Sequence, residues 1–186
     1  MEKISFKKIL IILIGVVLFF LVGRFGSFPS GVPHTDITLQ YVVLAVFTAP
    51  CGPVAGGLIA FIGHSLIDLS WGDIPSWGWV FASAFVGVVS GLICKKSGVT
   101  GSLAQGSFNG RQFISYTLAN LAGHVPAWLL IAPCLDILLR AKLAENVFRQ
   151  GLTCLIIDGL TSIVLGGLLL LALSRVFRQK NRRGRA

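Results

Sequence analysis

The sequence predicts an all-α integral membrane bundle of six transmembrane helices, and three observations carry that prediction. Apolar residues make up 54% of the 186-residue chain and charged residues 12%, a balance that cannot clothe a water-facing surface. The apolar residues gather in six stretches: Ile9–Phe25, Leu39–Cys51, Val54–Leu69, Trp77–Cys94, Phe113–Cys134 and Leu152–Leu173. The basic residues crowd into the gaps on one side of them.

A helix needs about 20 residues to cross the hydrocarbon core, with a range of about 17 to 25. The first stretch follows Lys3, Lys7 and Lys8, as a signal peptide would, but it runs into GRFGSFPSG rather than a small-x-small cleavage site. Five more stretches follow, so it reads as a membrane helix. The second stretch is short and becomes a span only if Ile37 and Thr38 join it. Pro50-Cys51-Gly52-Pro53 then predicts a hairpin break, because each proline removes a donor and turns its predecessor away from helix. The third stretch carries Gly52, Gly56, Ala60, His64 and Asp68 at four-residue spacing, and the fourth carries Trp79, Ser83, Gly87 and Gly91. Small residues so spaced let membrane helices approach closely. In the fifth stretch Pro126 predicts a kink that frees the carbonyl near Ala122. The sixth leads into a basic tail from about residue 175 to 186.

Orientation follows from charge. With the N-terminus inside, inner segments hold Lys3, Lys7, Lys8, Lys95, Lys96, Arg111, Arg175, Arg178, Lys180, Arg182, Arg183 and Arg185. Outer segments hold only Arg24, Arg140, Lys142 and Arg149. Both termini are therefore expected to be cytoplasmic, in a plasma-membrane protein, and the net charge of +9 reads as a topology signal rather than a nucleic-acid footprint. The polar gaps near residues 95–111 and Leu135–Gln150 are too small to bury a core, so residues 1–186 read as one membrane domain. No G-x-x-x-x-G-K-[ST] loop is present, so any ATP-driven motor must come from partners. Cys51, Cys94, Cys134 and Cys154 stand singly and predict neither a disulfide nor a metal site.

Ionisable groups inside spans are costly and call for a reason. Asn120, His124 and Trp128 recur at i, i+4 and i+8 on one face of the fifth stretch. Asp158 lies at a comparable depth on the sixth, so a meeting with His124 is expected. His64 and Asp68 form an i, i+4 pair. The loops add His34 and Asp36 from GVPHTDIT, and Trp71, Asp73, Trp77 and Trp79 from SWGDIPSWGW. Tryptophans at helix ends also serve as interface anchors, His64–Asp68 and His124–Asp158 also fit structural pairs, and Arg24 suits snorkelling. Nearly all these groups fall in the outer half of the bundle, while the inner half is Leu, Val, Gly and Phe. That asymmetry predicts a pocket open outward and closed beneath, with aromatic walls suited to a flat or bulky organic ligand. No H-E-x-x-H or G-x-S-x-G motif supports an intramembrane enzyme.

The stretch GRFGSFPSGVPHTDITLQYVVLAVF, followed by GPVAGGLIAFIGHSLIDLSWGDIPSWGWVFAS, resembles the substrate-binding S components of energy-coupling factor (ECF) vitamin transporters. The likeness covers about residues 10–95, through GRF, LQY, GPVAG and FIGHSLIDL, and points to the group labelled riboflavin-type. The resemblance implies a subunit that captures a vitamin from outside with the outer halves of helices four to six. It then delivers it inward with a transmembrane T component and two cytoplasmic ATPases, by toppling in the membrane. Many S components dock through an Ala-x-x-x-Ala pattern in the first helix; the comparable face here reads Ile11, Gly15 and Phe19. Relatives in the group are linked to cobalamin and to hydroxymethylpyrimidine. The small-residue stripe of the fourth stretch and a long outer loop over Leu135–Gln150 favour cobalamin, with hydroxymethylpyrimidine or riboflavin as alternatives. A stand-alone facilitator and an intramembrane enzyme are the readings from other classes.

Overall fold

Why the first helix begins where it does is plain in the computed structural model, which describes residues 5–33 and 35–183. Ser5 caps it, its Oγ accepting from the Lys8 N–H at 3.3 Å, and α1 runs Phe6–Phe25. A short antiparallel hairpin follows, β1 (Phe28–Val32) with β2 (Thr35–Ile37), pairing Phe28 with Ile37 and Val32 with Thr35. Its register is irregular between Pro29 and Val32. Ser30 Oγ spans the gap, accepting from the Val32 N–H and donating to the Thr35 carbonyl.

That hairpin corrects one expectation. Ile37 belongs to β2, so the second apolar stretch is a helix of only 12 residues, α2 (Gln40–Cys51). At 1.5 Å per residue it is about 18 Å long, short of the bilayer core. It survives because neighbours enclose it: Tyr41, Leu44, Ala45, Thr48 and Ala49 are all buried. Among the described residues, five helical runs are long and apolar enough to cross a membrane: Phe6–Phe25, Pro53–Ser70, Trp77–Lys96, Gly110–Arg140 and Ala144–Asn181.

The Pro-Cys-Gly-Pro turn forms as expected. Gly52 adopts φ +84°, a left-handed value that favours glycine, and Pro53 opens α3 (Pro53–Ser70) at its first position. The small-residue stripes of α3 and α4 (Trp77–Lys96) face each other. A Cβ on Gly56 would lie 2.6 Å from the Gly87 carbonyl oxygen, and one on Gly91 would lie 2.7 Å from the backbone of Gly52 and Pro53. The glycine halves of the stripes are therefore filled by backbone contact and leave no room for a ligand there.

Of the Ile11, Gly15, Phe19 face expected to dock on a T component, Gly15 and Phe19 pack inside the bundle and Ile11 is half-buried. Phe19 is fully buried and lies against Gly63, and a Cβ on Gly15 would sit 2.5 Å from Ile59 Cδ1. The exposed face of α1 carries Leu10, Leu13, Ile14, Val17, Leu18 and Leu21 instead.

Beyond α4, Gly98 and Gly106 at positive φ bracket a short α5 (Val99–Gln105), which buries Val99 and Leu103. The fifth apolar run does not break at Pro126. Its α6 (Gly110–Pro126) passes through a π turn, Ala127–Ile131, into α7 (Ala132–Arg140). The sixth run begins earlier than its apolar core, as α8 (Ala144–Thr161), and continues through a second π turn, Ser162–Gly166, into α9 (Gly167–Arg183). There the Ser162 carbonyl accepts from the Tyr116 hydroxyl at 2.5 Å, tying α6 to the turn. The segment Leu135–Gln150 is thus not a long loop; only residues 141–143 lie outside helix.

These last two runs hold 31 and 38 residues, about 46 and 57 Å as helix, against about 30 Å of hydrocarbon. The surplus forms an α7–α8 hairpin that stands above one end of the bundle beside β1–β2. At the other end α9 packs on α5, with Arg178 Nε donating to the Gly106 carbonyl at 2.8 Å.

Candidate functional site

Between the hairpin β1–β2, the C-terminal end of α3, the start of α4 and the projecting α7–α8 lies a cavity of about 300 Å³. Seven of the residues expected at a site line it: Asp36, His64, Asp68, Asp73, Trp79, Trp128 and Asp158. His34 lies outside the described residues. The remaining four do not line it, and each has another task.

Trp71 and Trp77 face away. The Arg24 guanidinium sits 3.6 Å above the Trp71 ring centroid, so Arg24 stacks on an aromatic at the helix end rather than merely snorkelling. Trp77 stacks on Phe61 with centroids 6.2 Å apart and stays partly exposed, as an interface anchor does. Asn120 is buried and donates to the Tyr116 carbonyl at 2.9 Å, an i−4 bond within its own helix. His124 is also buried, and its Nδ1 accepts from Trp128 Nε1–H at 3.0 Å. It supports the cavity wall from behind. The expected meeting of His124 with Asp158 is not made; Tyr41 packs edge-on to both His124 and Trp128, with centroids 5.6 and 5.3 Å away.

Several lining residues were invisible in the sequence. Trp79 and Trp128 stack at 5.7 Å between centroids and 27° between planes. Asp136, one and a half turns into α7, accepts from Trp79 Nε1–H through Oδ2 at 3.0 Å and so fixes that ring. Tyr41, Gln40 and Cys154 complete the inner wall, and Arg140, Lys142 and Gln150 reach the mouth from the α7–α8 hairpin. The signal that could have found Asp136 and Arg140 was present: a charged pair ending an apolar run that overshoots the bilayer.

A hydrogen-bond chain braces one side. Ser83 Oγ donates to the Trp79 carbonyl at 2.8 Å. A hydroxyl has one proton, so Tyr41 OH and His64 Nδ1–H, each 2.6 Å away, both donate to it. That assigns the His64 proton to Nδ1 and leaves Nε2 facing Asp68 Oδ1 at 3.7 Å. Asp68 Oδ2 in turn accepts from the Ser76 N–H at 2.7 Å, and Ser76 Oγ accepts from Arg140 Nη1 at 2.5 Å. The order Ser83–His64–Asp68 has the look of a hydrolase relay. Ser83, however, is fully buried and spends its proton on a backbone carbonyl, so no substrate carbon can reach it.

The lining is acidic: Asp36, Asp68, Asp73, Asp136 and Asp158 against Arg140 and Lys142. Among the described residues, no three His, Cys, Asp or Glu side chains converge as metal ligands, and the four cysteines are unpaired. A concave, aromatic-walled cavity with dispersed polar groups is the form of a small-molecule binding site.

The comparisons with known proteins agree with that form. Residues 3–175 match the family model described as ECF-type riboflavin transporter, S component. The chain belongs to this family of S components. Its relatives include a UPF0397 protein of Clostridium perfringens, 39% identical over 168 residues, covering 90% of this chain and 86% of the relative. Another, from Lactococcus lactis subsp. cremoris, is 39% identical over 170 residues, with 91% of each chain covered. A third, from Enterococcus faecalis, is 35% identical over 171 residues, covering 92% and 91%. Among solved structures, the crystal structure of the S component for biotin from an ECF-type ABC transporter superposes with a TM-score of 0.66. Its sequence is 16% identical and 90% of each chain is covered, so the likeness is one of fold. An S component is a membrane protein and a substrate-binding subunit rather than an enzyme, and S components work with a T component and ATPases.

Proposed function

We propose that this chain captures a small water-soluble vitamin or vitamin precursor from outside the cell and hands it inward together with an ECF T component and two ATPases. The observation that carries the reading is the acidic, tryptophan-walled cavity of about 300 Å³ at the end of the bundle opposite Lys95, Lys96, Arg175 and Arg178. Positive residues flanking spans stay cytoplasmic, so the cavity faces outward and both termini face in.

Both grounds for favouring cobalamin have gone: the small-residue stripe of α4 is filled by α3, and Leu135–Gln150 is helical hairpin rather than loop. A cavity at the small end of the usual range of about 300–1,000 Å³ suits a single-ring or fused-ring ligand better than a corrin. Hydroxymethylpyrimidine is the reading we favour, ahead of riboflavin, the compound named in the family's description.

The test is a titration of the purified chain in lipid nanodiscs with hydroxymethylpyrimidine, riboflavin and cobalamin, followed by tryptophan fluorescence and calorimetry. Saturable binding of one vitamin at one site is expected. Binding of none, or uptake that persists in cells lacking the T component and the ATPases, overturns the proposal.

A further inference from the structure

The cavity's five aspartates are not equivalent. Asp68 is held by the Ser76 N–H, and Asp136 holds Trp79. Asp36 and Asp73 lie exposed at the mouth. Asp158 has no such task. It is only 4% exposed, it lines the cavity, and its carboxylate makes no hydrogen bond or ion pair with any described residue. It sits fourteen residues into α8, about 21 Å from the helix start, one turn beyond Cys154, which lines the same wall. A largely buried carboxylate without a donor from its own chain is unfavourable unless something else supplies one. Its remaining accessible surface faces the cavity, where a ligand's N–H can reach it.

Two further observations narrow that ligand. Asp136 Oδ1 is also buried without a partner, so the inner wall offers a second acceptor with nothing to accept. Among the described residues the acidic groups are dispersed rather than gathered on one point. The flat surfaces nearby are the stacked Trp79–Trp128 pair with Tyr41 edge-on. Dispersed acceptors beside aromatic planes match a flat ring with N–H groups along one edge. A protonated ring nitrogen next to an exocyclic amine presents two parallel N–H bonds, the spacing a carboxylate accepts bidentately.

We infer that this site selects flat, amino-substituted nitrogen heterocycles, and that Asp158 is the residue that receives their N–H edge. The inference rests on the vitamin-capture reading and deepens it. It separates this site from one for neutral rings whose edge carries carbonyl oxygens.

The experiment uses the full chain in nanodiscs and two probes: hydroxymethylpyrimidine, and its counterpart in which the ring amine is replaced by oxygen. Calorimetry on the wild type is expected to favour the amino probe by about 10- to 100-fold, the worth of a charge-assisted hydrogen bond. Asp158→Asn is expected to lose that preference, while Glu145→Gln, exposed at the start of α8 and outside the cavity lining, keeps it. Equal affinity of the wild type for both probes, or a preference that survives Asp158→Asn, overturns the inference. So does binding of riboflavin or cobalamin with neither probe bound, although vitamin capture then stands. Absence of binding by every compound sinks the capture reading itself. A second measurement needs no change at Asp158. With Cys51, Cys94 and Cys134 replaced by Ser, the amino probe at saturation is expected to slow alkylation of Cys154, and the oxygen probe at the same concentration is not. Equal protection by both, or by neither, counts against Asp158 as the recognition point.

Discussion

Gly87 and Asp136 show how differently single residues act here. Gly87 makes no chemistry, yet a Cβ there would run into the Gly56 carbonyl, which is backbone and cannot swing aside. Gly87→Ala is expected to destabilise the chain by about 1–3 kcal/mol, the range for overpacking a tight contact. Gly101 sits in α5 with nothing within 4 Å of its would-be Cβ. Gly101→Ala should be neutral or slightly stabilising, since alanine favours helix by about 1 kcal/mol over glycine. Thermal unfolding in detergent, read by size-exclusion fluorescence, compares the two. Asp136 lines the cavity and, through Oδ2, orients Trp79. Asp136→Ala leaves the Trp79 Nε1–H without its acceptor, and vitamin affinity is expected to fall about 5- to 10-fold with little change in unfolding temperature. A drop in stability without a drop in affinity would mean that Asp136 only cements α7 to α4.

At the scale of elements, the α7–α8 hairpin turns on a costly residue. Ala141 closes α7 at φ +49°, a left-handed conformation that costs an L-residue about 1–2 kcal/mol and that glycine adopts freely. Ala141→Gly should therefore raise the unfolding temperature, provided residue 141 keeps this conformation; an unchanged or lower midpoint would contradict it. This hairpin is also where the sequence was hardest to read. Hydropathy marks where a chain meets lipid, so it placed the spans, and proline with glycine marked the turn at Gly52. The facing stripes of α3 and α4 were legible because small residues at four-residue spacing have few other uses in lipid. Helix that projects beyond lipid is polar and reads as loop, which hid α7 and the start of α8 and, with them, Asp136, Arg140, Lys142 and Gln150. Ile37 misled for the converse reason: an apolar residue in a short hairpin strand looks like the start of a span. Among the lining residues, His64, Asp68 and Asp158 stood out by the cost of an ionisable group in the membrane; His124 shares that signature while propping the wall from behind, and Trp71 and Trp77 are exposed aromatics at helix ends.

Over the whole molecule, charge is sorted by end. Five of the seven acidic residues line the cavity, and most of the basic ones lie at the far end, beside α5 and α9. On the proposed orientation the sorting would do two jobs with one gradient: positive flanks would hold that end in the cytoplasm during insertion, and an acidic mouth would draw cationic solutes from outside. Topology and ligand capture therefore stand or fall on the same orientation. Ile74, exposed in the loop between α3 and α4, and Ser107, exposed between α5 and α6, sit at opposite ends. On a background with all four native cysteines replaced by Ser, Ile74→Cys is expected to react with a membrane-impermeant maleimide in intact cells. Ser107→Cys should react only after permeabilisation. The reverse pattern would turn the cavity toward the cytoplasm, where a subunit built to collect a scarce external nutrient has nothing to collect.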